Sequence, residues 1–281
     1  MKREFLISGF ADEINGNFDI QLQVLNDINQ NYIELRSADG INIADFTLEK
    51  AKEVKNKLDE HKISVSSLGS PIGKIGICDD FESHFEKFKH VVTLSKVLKA
   101  QYIRMFSFYI PEGKCDEYKD EVFRRMQKMI DYAKQENVIL LHENEKGIYG
   151  AMAKECSELM THFYCENFKA IFDFANFVQC KEDTKNAYEL LKDYIAYFHI
   201  KDAMIETGEV VLPGTGEGNV EYILEKESQK QGKCFLSLEP HLSNFKGFES
   251  LENERRILKE GNGSVSYRSA HESLCGILKK M

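Results

Sequence analysis

The stretch Val122 to Glu143, VFRRMQKMIDYAKQENVILLHE, reads as one helix feeding one strand. Val122, Met126, Met129 and Ala133 recur at helical spacing and lay an apolar stripe along one face. Val138 to Glu143 is then a short β-rich run with a polar tip. The same alternation continues in both directions. Further β-rich runs lie at Phe5 to Phe10, Tyr32 to Arg36, Ser64 to Leu68, Tyr102 to Phe108, Phe168 to Phe174, Ile195 to Ile200 and Cys234 to Glu239. Longer stretches with helical periodicity separate them, Phe81, Phe85, Phe88 and Val92 marking another. The strand starts are 27 to 39 residues apart, the length of a βα unit, and eight such units favour an α/β fold closed into a (β/α)8 TIM barrel. The rival open doubly wound sheet would carry a G-x-G-x-x-G turn after its first strand, where this chain has Gly9-Phe10-Ala11-Asp12-Glu13.

The chain has 281 residues, enough for one large domain or two small ones, and no Pro-rich, Ser-rich or highly charged linker divides it. The expectation is a single barrel domain over residues 1–281, with a loop and a last helix packing back on it from about Gly261. Lys and Arg total 37 against 46 Asp and Glu, a net charge of −9, which disfavours general binding to the phosphate backbone of nucleic acids. No apolar run approaches the ~18 residues of a membrane helix. Met1-Lys2-Arg3-Glu4 leads into only a short apolar stretch before the acidic Asp12-Glu13, unlike a secretory signal. Seven dispersed cysteines without a C-x-x-C pair read as reduced packing thiols. A soluble cytoplasmic protein with a small-molecule partner is expected, and a homo-oligomer is compatible with the sequence.

A barrel carries its chemistry at the C-terminal ends of its strands. Four consecutive runs end alike, in Leu140-Leu141-His142-Glu143-Asn144, Ile171-Phe172-Asp173, Tyr197-Phe198-His199 and Leu236-Ser237-Leu238-Glu239. Strand side chains alternate between faces, and a charged group is costly against the apolar helix layer. Glu143, Asp173, His199 and Glu239 are therefore expected to converge at the barrel mouth. Three carboxylates so placed repel one another and favour protonation unless a cation compensates. One imidazole with three carboxylates suits a single Mn²⁺, Mg²⁺, Co²⁺ or Zn²⁺, and the lack of thiolate argues against a purely structural zinc site. For each residue alone, an acid or histidine in a solvated strand-end loop is the simpler reading, but four in succession weaken it.

The segments Leu141-His142-Glu143-Asn144-Glu145, Phe172-Asp173-Phe174-Ala175-Asn176-Phe177, Phe198-His199-Ile200-Lys201-Asp202 and Leu238-Glu239-Pro240-His241 resemble the metal-site segments of the xylose isomerase-like TIM-barrel superfamily. More narrowly, the chain resembles its bacterial sugar phosphate isomerase/epimerase branch. Ile33-Glu34-Leu35-Arg36, Ser70-Pro71-Ile72-Gly73-Lys74 and Tyr102 to Phe108 extend the likeness to the second, third and fourth strand ends. The resemblance implies that Glu143, Asp173, His199 and Glu239 bind one divalent metal, with Glu143 and Glu239 doubling as catalytic acid and base. The ketose 3-epimerases of that family usually have a histidine three residues after the aspartate, where this chain has Asn176.

Arg36 and Arg104 share the parity of the inward positions and are candidates to grip a sugar hydroxyl, carboxylate or phosphate, the alternative being a buried salt bridge. Lys74 and Lys201 are candidates to add positive charge above a substrate, and Asn176 and His241 to contact it. His142 is expected to point away from Glu143. Pro213-Gly214-Thr215-Gly216-Glu217-Gly218 follows the seventh strand, where barrels often hold phosphate, but the acid within it favours an ordinary turn. His61, His84, His90, His162 and His271 fall on helical stretches and read as structural or exposed. The expected function is a metal-dependent isomerase or epimerase of a small sugar, ketose or sugar phosphate, abstracting a proton beside a carbonyl through a metal-stabilised enediolate. The rivals are a keto-inositol dehydratase on the same metal site and a non-catalytic sugar-binding barrel. An apurinic endonuclease would need a histidine-rich trinuclear site. Leu68-Gly69-Ser70 and Met105-Phe106-Ser107 lack those histidines.

Overall fold

The computed structural model describes residues 2–242 and 262–281. Eight parallel strands form the barrel: β1 (Glu4–Gly9), β2 (Tyr32–Leu35), β3 (Ser64–Leu68), β4 (Tyr102–Met105), β5 (Ile139–Glu143), β6 (Phe168–Asp173), β7 (Ile195–Ile200) and β8 (Lys233–Leu238). Their order in the sheet is β1-β8-β7-β6-β5-β4-β3-β2. β1 and β2 lie side by side without a ladder of hydrogen bonds, so the cylinder is nearly closed. No helix among the described residues is long and apolar enough to cross a membrane.

The helices start and stop where local chemistry requires. Asn17 caps α1 (Phe18–Asp27), Thr47 caps α2 (Leu48–Glu60) and Asp80 caps α3 (Phe81–Leu98), each accepting a hydrogen bond from a backbone N–H of the first turn. α3 and α4 (Cys115–Glu136) end on left-handed Lys99 and Asn137. Phe81, Phe85, Phe88 and Val92 of α3, and Val122, Met126, Met129 and Ala133 of α4, are buried, as their spacing predicts. α5 (Ala153–Phe163), α6 (Phe174–Gln179), α7 (Thr184–Leu191) and α8 (Val220–Ser228) continue the outer ring.

Strand parity divides the core. On β7, Phe198 and Ile200 join the large apolar layer under the helices, whereas Tyr197 joins Leu141 and Ile171 in a small inner cluster. Tyr102, Tyr197 and Phe235 pack against one another in that cluster, with ring centroids 5.6–6.4 Å apart. Above it comes a layer of hydroxyls, in which Ser66 Oγ lies 2.6 Å from Ser8 Oγ and 2.9 Å from Tyr197 Oη. The next inward positions, nearest the mouth, are charged.

β4 is shorter than the expected run from Tyr102 to Phe108. After Met105 the chain leaves the sheet, because the N–H groups of Phe106 and Phe108 donate to Ile72 and Gly73 of the preceding loop. That crossing needs glycine at position 73, where φ is +91° and a Cβ would sit 2.0 Å from the Phe106 carbonyl oxygen. At the C-terminus, Asn262 caps α9 (Gly263–Leu278), whose Tyr267 receives a hydrogen bond from Gln30 and packs on Gly9 of β1. The expected start of this tail at Gly261 lies outside the described residues.

Candidate metal centre and active site

The inward parity that places Leu141, Ile171 and Tyr197 in the inner cluster brings Glu143, Asp173 and His199 to the mouth two residues later. Asp173 and His199 stand opposite each other in the β6–β7 register, His199 faces Ser237 of β8, and Glu239 follows directly after β8. Each of Glu143, Asp173, His199 and Glu239 offers one donor atom, and the four atoms lie within 4.8 Å of one another. His199 Nδ1 is 3.0 Å from Glu143 Oε1, 3.5 Å from Glu239 Oε2 and 3.9 Å from Asp173 Oδ2. All four side chains are buried.

Asp173 is held on several sides. Its Oδ1 accepts the Asn176 N–H at 2.7 Å and so caps α6. The Asn144 amide accepts from the Asp173 N–H and donates to its carbonyl, at 2.9 and 3.0 Å. Oδ2 is buried without a hydrogen-bond partner among the described residues, and Lys201 Nζ approaches it at 3.4 Å.

Cations surround the cluster. Lys201 Nζ also lies 3.3 Å from Glu239 Oε2, and Arg104 donates to Glu143 at 3.1 Å. Arg36 makes a two-pronged contact with Asp12 at 2.8 and 2.9 Å, then reaches Glu13 at 3.2 Å and Glu239 at 3.3 Å. Both arginines thus make buried ion pairs with carboxylates at the mouth. His241 Nε2 stands 3.3 Å from Glu239 and 3.4 Å from Glu13, and the His241 backbone N–H donates to Glu13 Oε2 at 2.8 Å. Asn176 Nδ2 donates to the Asn144 carbonyl at 2.9 Å and approaches Glu143 at 3.4 Å. Lys74 instead pairs with Glu145 and lies over the Phe106 ring. His142 points outward to Ser107 Oγ, as its parity predicts.

These neighbours drive the carboxyls apart. Burial raises Asp173, and Glu239 and Glu143 raise it further against Lys201 and His199, to about 7. Burial also opposes ionisation of Glu143, yet His199 and Arg104 bring it down to about 2. Glu239 is held well below the usual range, against burial, by Lys201 and His241. The His199 imidazole is lifted well above its ordinary value, again against burial, by Glu143 and Glu34.

The donor set fits a divalent cation. Three hard oxygens and one imidazole nitrogen are available, and the buried Asp173 Oδ2, which has no hydrogen-bond partner among the described residues, faces the other three. A second group, Glu13, Glu239 and His241, is equally close, but the Arg36 guanidinium already contacts both of its glutamates.

Several participants escape a reading by strand tips alone. Glu34 on β2 lies under His199, with Oε2 3.1 Å from Nε2. Asp12 and Glu13 enter from the loop after β1. For these three, a carboxylate at or just past a strand end was the available signal. The glycine-rich loop is not open to phosphate. The N–H groups of Gly214, Gly216 and Gly218 donate to the buried Asp202 carboxylate at 2.8–3.0 Å. A Cβ at Gly216 or Gly218 would come within 2.7 Å of Asp202 Oδ1. The loop therefore wraps an anion supplied by its own chain.

Solved structures of the same fold share this architecture from end to end. The IolI protein with a bound zinc atom superposes with a TM-score of 0.75 at 16% identity, covering 100% of this chain and 99% of that one. D-Psicose 3-epimerase from Clostridium cellulolyticum H10, solved with D-tagatose, gives 0.73 at 11% identity with 99% of each chain covered. A D-tagatose 3-epimerase-like protein gives 0.70 at 15% identity, covering 100% and 99%. No curated protein matches the sequence significantly. The family model of the xylose isomerase-like TIM barrel matches residues 22–261. With most of its length matched and eight parallel strands around a polar mouth, the chain belongs to the xylose isomerase-like TIM-barrel family.

Proposed function

We propose that the protein is a divalent-metal-dependent isomerase or epimerase of a small sugar, ketose or sugar phosphate. The observation that carries this reading is the meeting of four donor atoms within 4.8 Å, from the ends of four consecutive strands, at the buried mouth of the barrel. In this reading Glu143, Asp173, His199 and Glu239 hold the cation. When bound, it would supply a Lewis acid that polarises a substrate carbonyl and acidifies the neighbouring C–H.

The chain's own groups account for the proton. Glu143 and Glu239 are both held in the ionised form, which a base needs, by Arg104 and His199 on one side and Lys201 and His241 on the other. They come from β5 and from the end of β8, with β6 and β7 between them, so one can remove a proton while the other returns it. Arg104 and Arg36 fix the two glutamates rather than stand free for an anion. Lys201 lies between Asp173 and Glu239, within reach of a substrate oxygen, and Asn176 and His241 flank the two glutamates. Lys74 would contribute only through the loops above.

The test joins metal analysis of the purified protein to a solvent-exchange screen in D₂O over ketoses, ketose phosphates and inososes. One equivalent of divalent metal and deuterium at the carbon beside the carbonyl are expected. Product without solvent label would indicate a hydride shift. Loss of water with a new ultraviolet absorbance would establish the dehydratase instead. A filled metal site with no exchange on any substrate would favour a binding barrel.

A further inference from the structure

The four-residue cluster does not explain the fifth carboxylate beneath it. Glu34 is wholly buried, and its Oε2 lies 3.1 Å from His199 Nε2. Its other oxygen has no hydrogen-bond partner among the described residues. A buried carboxylate with a single partner is a poor device for stability, and an apolar residue of similar volume would serve the barrel interior better. Its position is nevertheless specific. Glu143, Asp173 and Glu239 all approach Nδ1 of the imidazole, and among the described residues Glu34 alone meets Nε2, from the opposite edge. Phe10 and Tyr197 pack edge-on against the ring, with centroids at 5.2 and 5.9 Å and interplanar angles of 77° and 82°, and so hold its plane.

We propose that Glu34 is a positioning residue of the metal centre. By accepting the Nε2–H of His199, it selects the tautomer and ring orientation that present the Nδ1 lone pair to the cation. This rests on the metal-site reading above. Glu34 need not touch substrate or cation. It acts through the imidazole, from β2, one of the two strands that flank the seam.

The experiment measures Zn²⁺ affinity by competition with a chelating dye, in the wild-type chain and in Glu34→Gln, Glu34→Leu and Asp173→Asn. Losing such a partner typically weakens metal binding 10–100-fold. Glu34→Gln, which keeps one acceptor oxygen and the side-chain shape, should stand near the lower figure, and Glu34→Leu near the upper. In the Zn²⁺-loaded wild type, ¹⁵N-histidine spectra should show one imidazole metallated at Nδ1 and protonated at Nε2. Folded Glu34 variants that bind Zn²⁺ within twofold of wild type would overturn the proposal, as would metallation at Nε2. If those results accompany a large loss in Asp173→Asn, the metal site stands and only the role of Glu34 falls. If the wild type binds no Zn²⁺ and Asp173→Asn changes nothing, both readings fall together.

Discussion

Replacing Asp202 by Asn tests whether the loop after β7 is organised by its internal anion. Asp202 is completely buried, and its two oxygens accept four backbone N–H groups. Ala203 and Gly218 donate to Oδ1 at 2.9 and 2.8 Å, and Gly214 and Gly216 donate to Oδ2 at 2.9 and 3.0 Å. The substitution preserves volume, so no cavity term enters. It keeps one acceptor oxygen and turns the other position into a donor facing two donors. Two bonds to a charged group, each worth about 1.5–3 kcal/mol, are thus lost, for a total of about 3–6 kcal/mol. In a chain of this size that corresponds to a fall in melting temperature on the order of 10 °C, readable by circular dichroism. An Asn variant that melts within about 1 °C of the parent would refute the reasoning, because the loop would then not depend on the charge at its centre.

Two further outcomes follow from the site and from its periphery. Glu143→Gln and Glu239→Gln should each lower turnover by about 10²–10⁴-fold, and the double variant should lose far less than the product of the two, if both groups serve one proton path as proposed above; multiplicative losses in steady-state kinetics would contradict that pairing. His84, whose Nε2 accepts the Gly73 N–H at 2.8 Å, is pushed down to about 4, chiefly by burial and also by Lys87 and Arg125. Its unfolded counterpart takes up a proton near pH 6.5, so between that pH and about 4 the unfolded chain binds more protons and stability falls as pH falls. Urea midpoints of His84→Gln should therefore drop less than those of the parent between pH 6.5 and 4.5, and parallel curves would exclude the contribution.

Much of the barrel is legible because its signals are local. β-rich runs of four to six residues recur at βα spacing, and the apolar faces of α3 and α4 keep a 3.6-residue period. The four donors are legible for a related reason, since fold class fixes which end of a strand faces the mouth and parity fixes which tip residue points in. What resists reading is set by contacts between distant segments. The end of β4 depends on pairing between Phe106 and Ile72, which no pattern in Tyr102 to Phe108 encodes. Asp202 looks like any acid after a strand, and only the folded loop brings glycines 12 to 16 residues downstream onto it. Arg36 and Arg104 have the right parity, but sequence does not distinguish a guanidinium that awaits substrate from one already engaged by Asp12 or Glu143.

Asp173 ties two events into one atom group. One of its oxygens terminates the dipole of α6, its backbone is clamped by Asn144, and only the remaining oxygen faces the cluster. There is no slack in such a junction. A glutamate would carry the same charge on a longer arm and could not satisfy the helix and the cluster together. An asparagine would keep the cap and change the electrostatics, whereas an alanine would remove both at once. Lost activity in an alanine variant would accordingly mix a frayed helix with an altered pocket, and only the asparagine separates them. The same coupling restricts how this position can drift over evolutionary time, because a compensating change would have to arise at the cap of α6 and in the cluster of Glu143, His199 and Glu239 simultaneously.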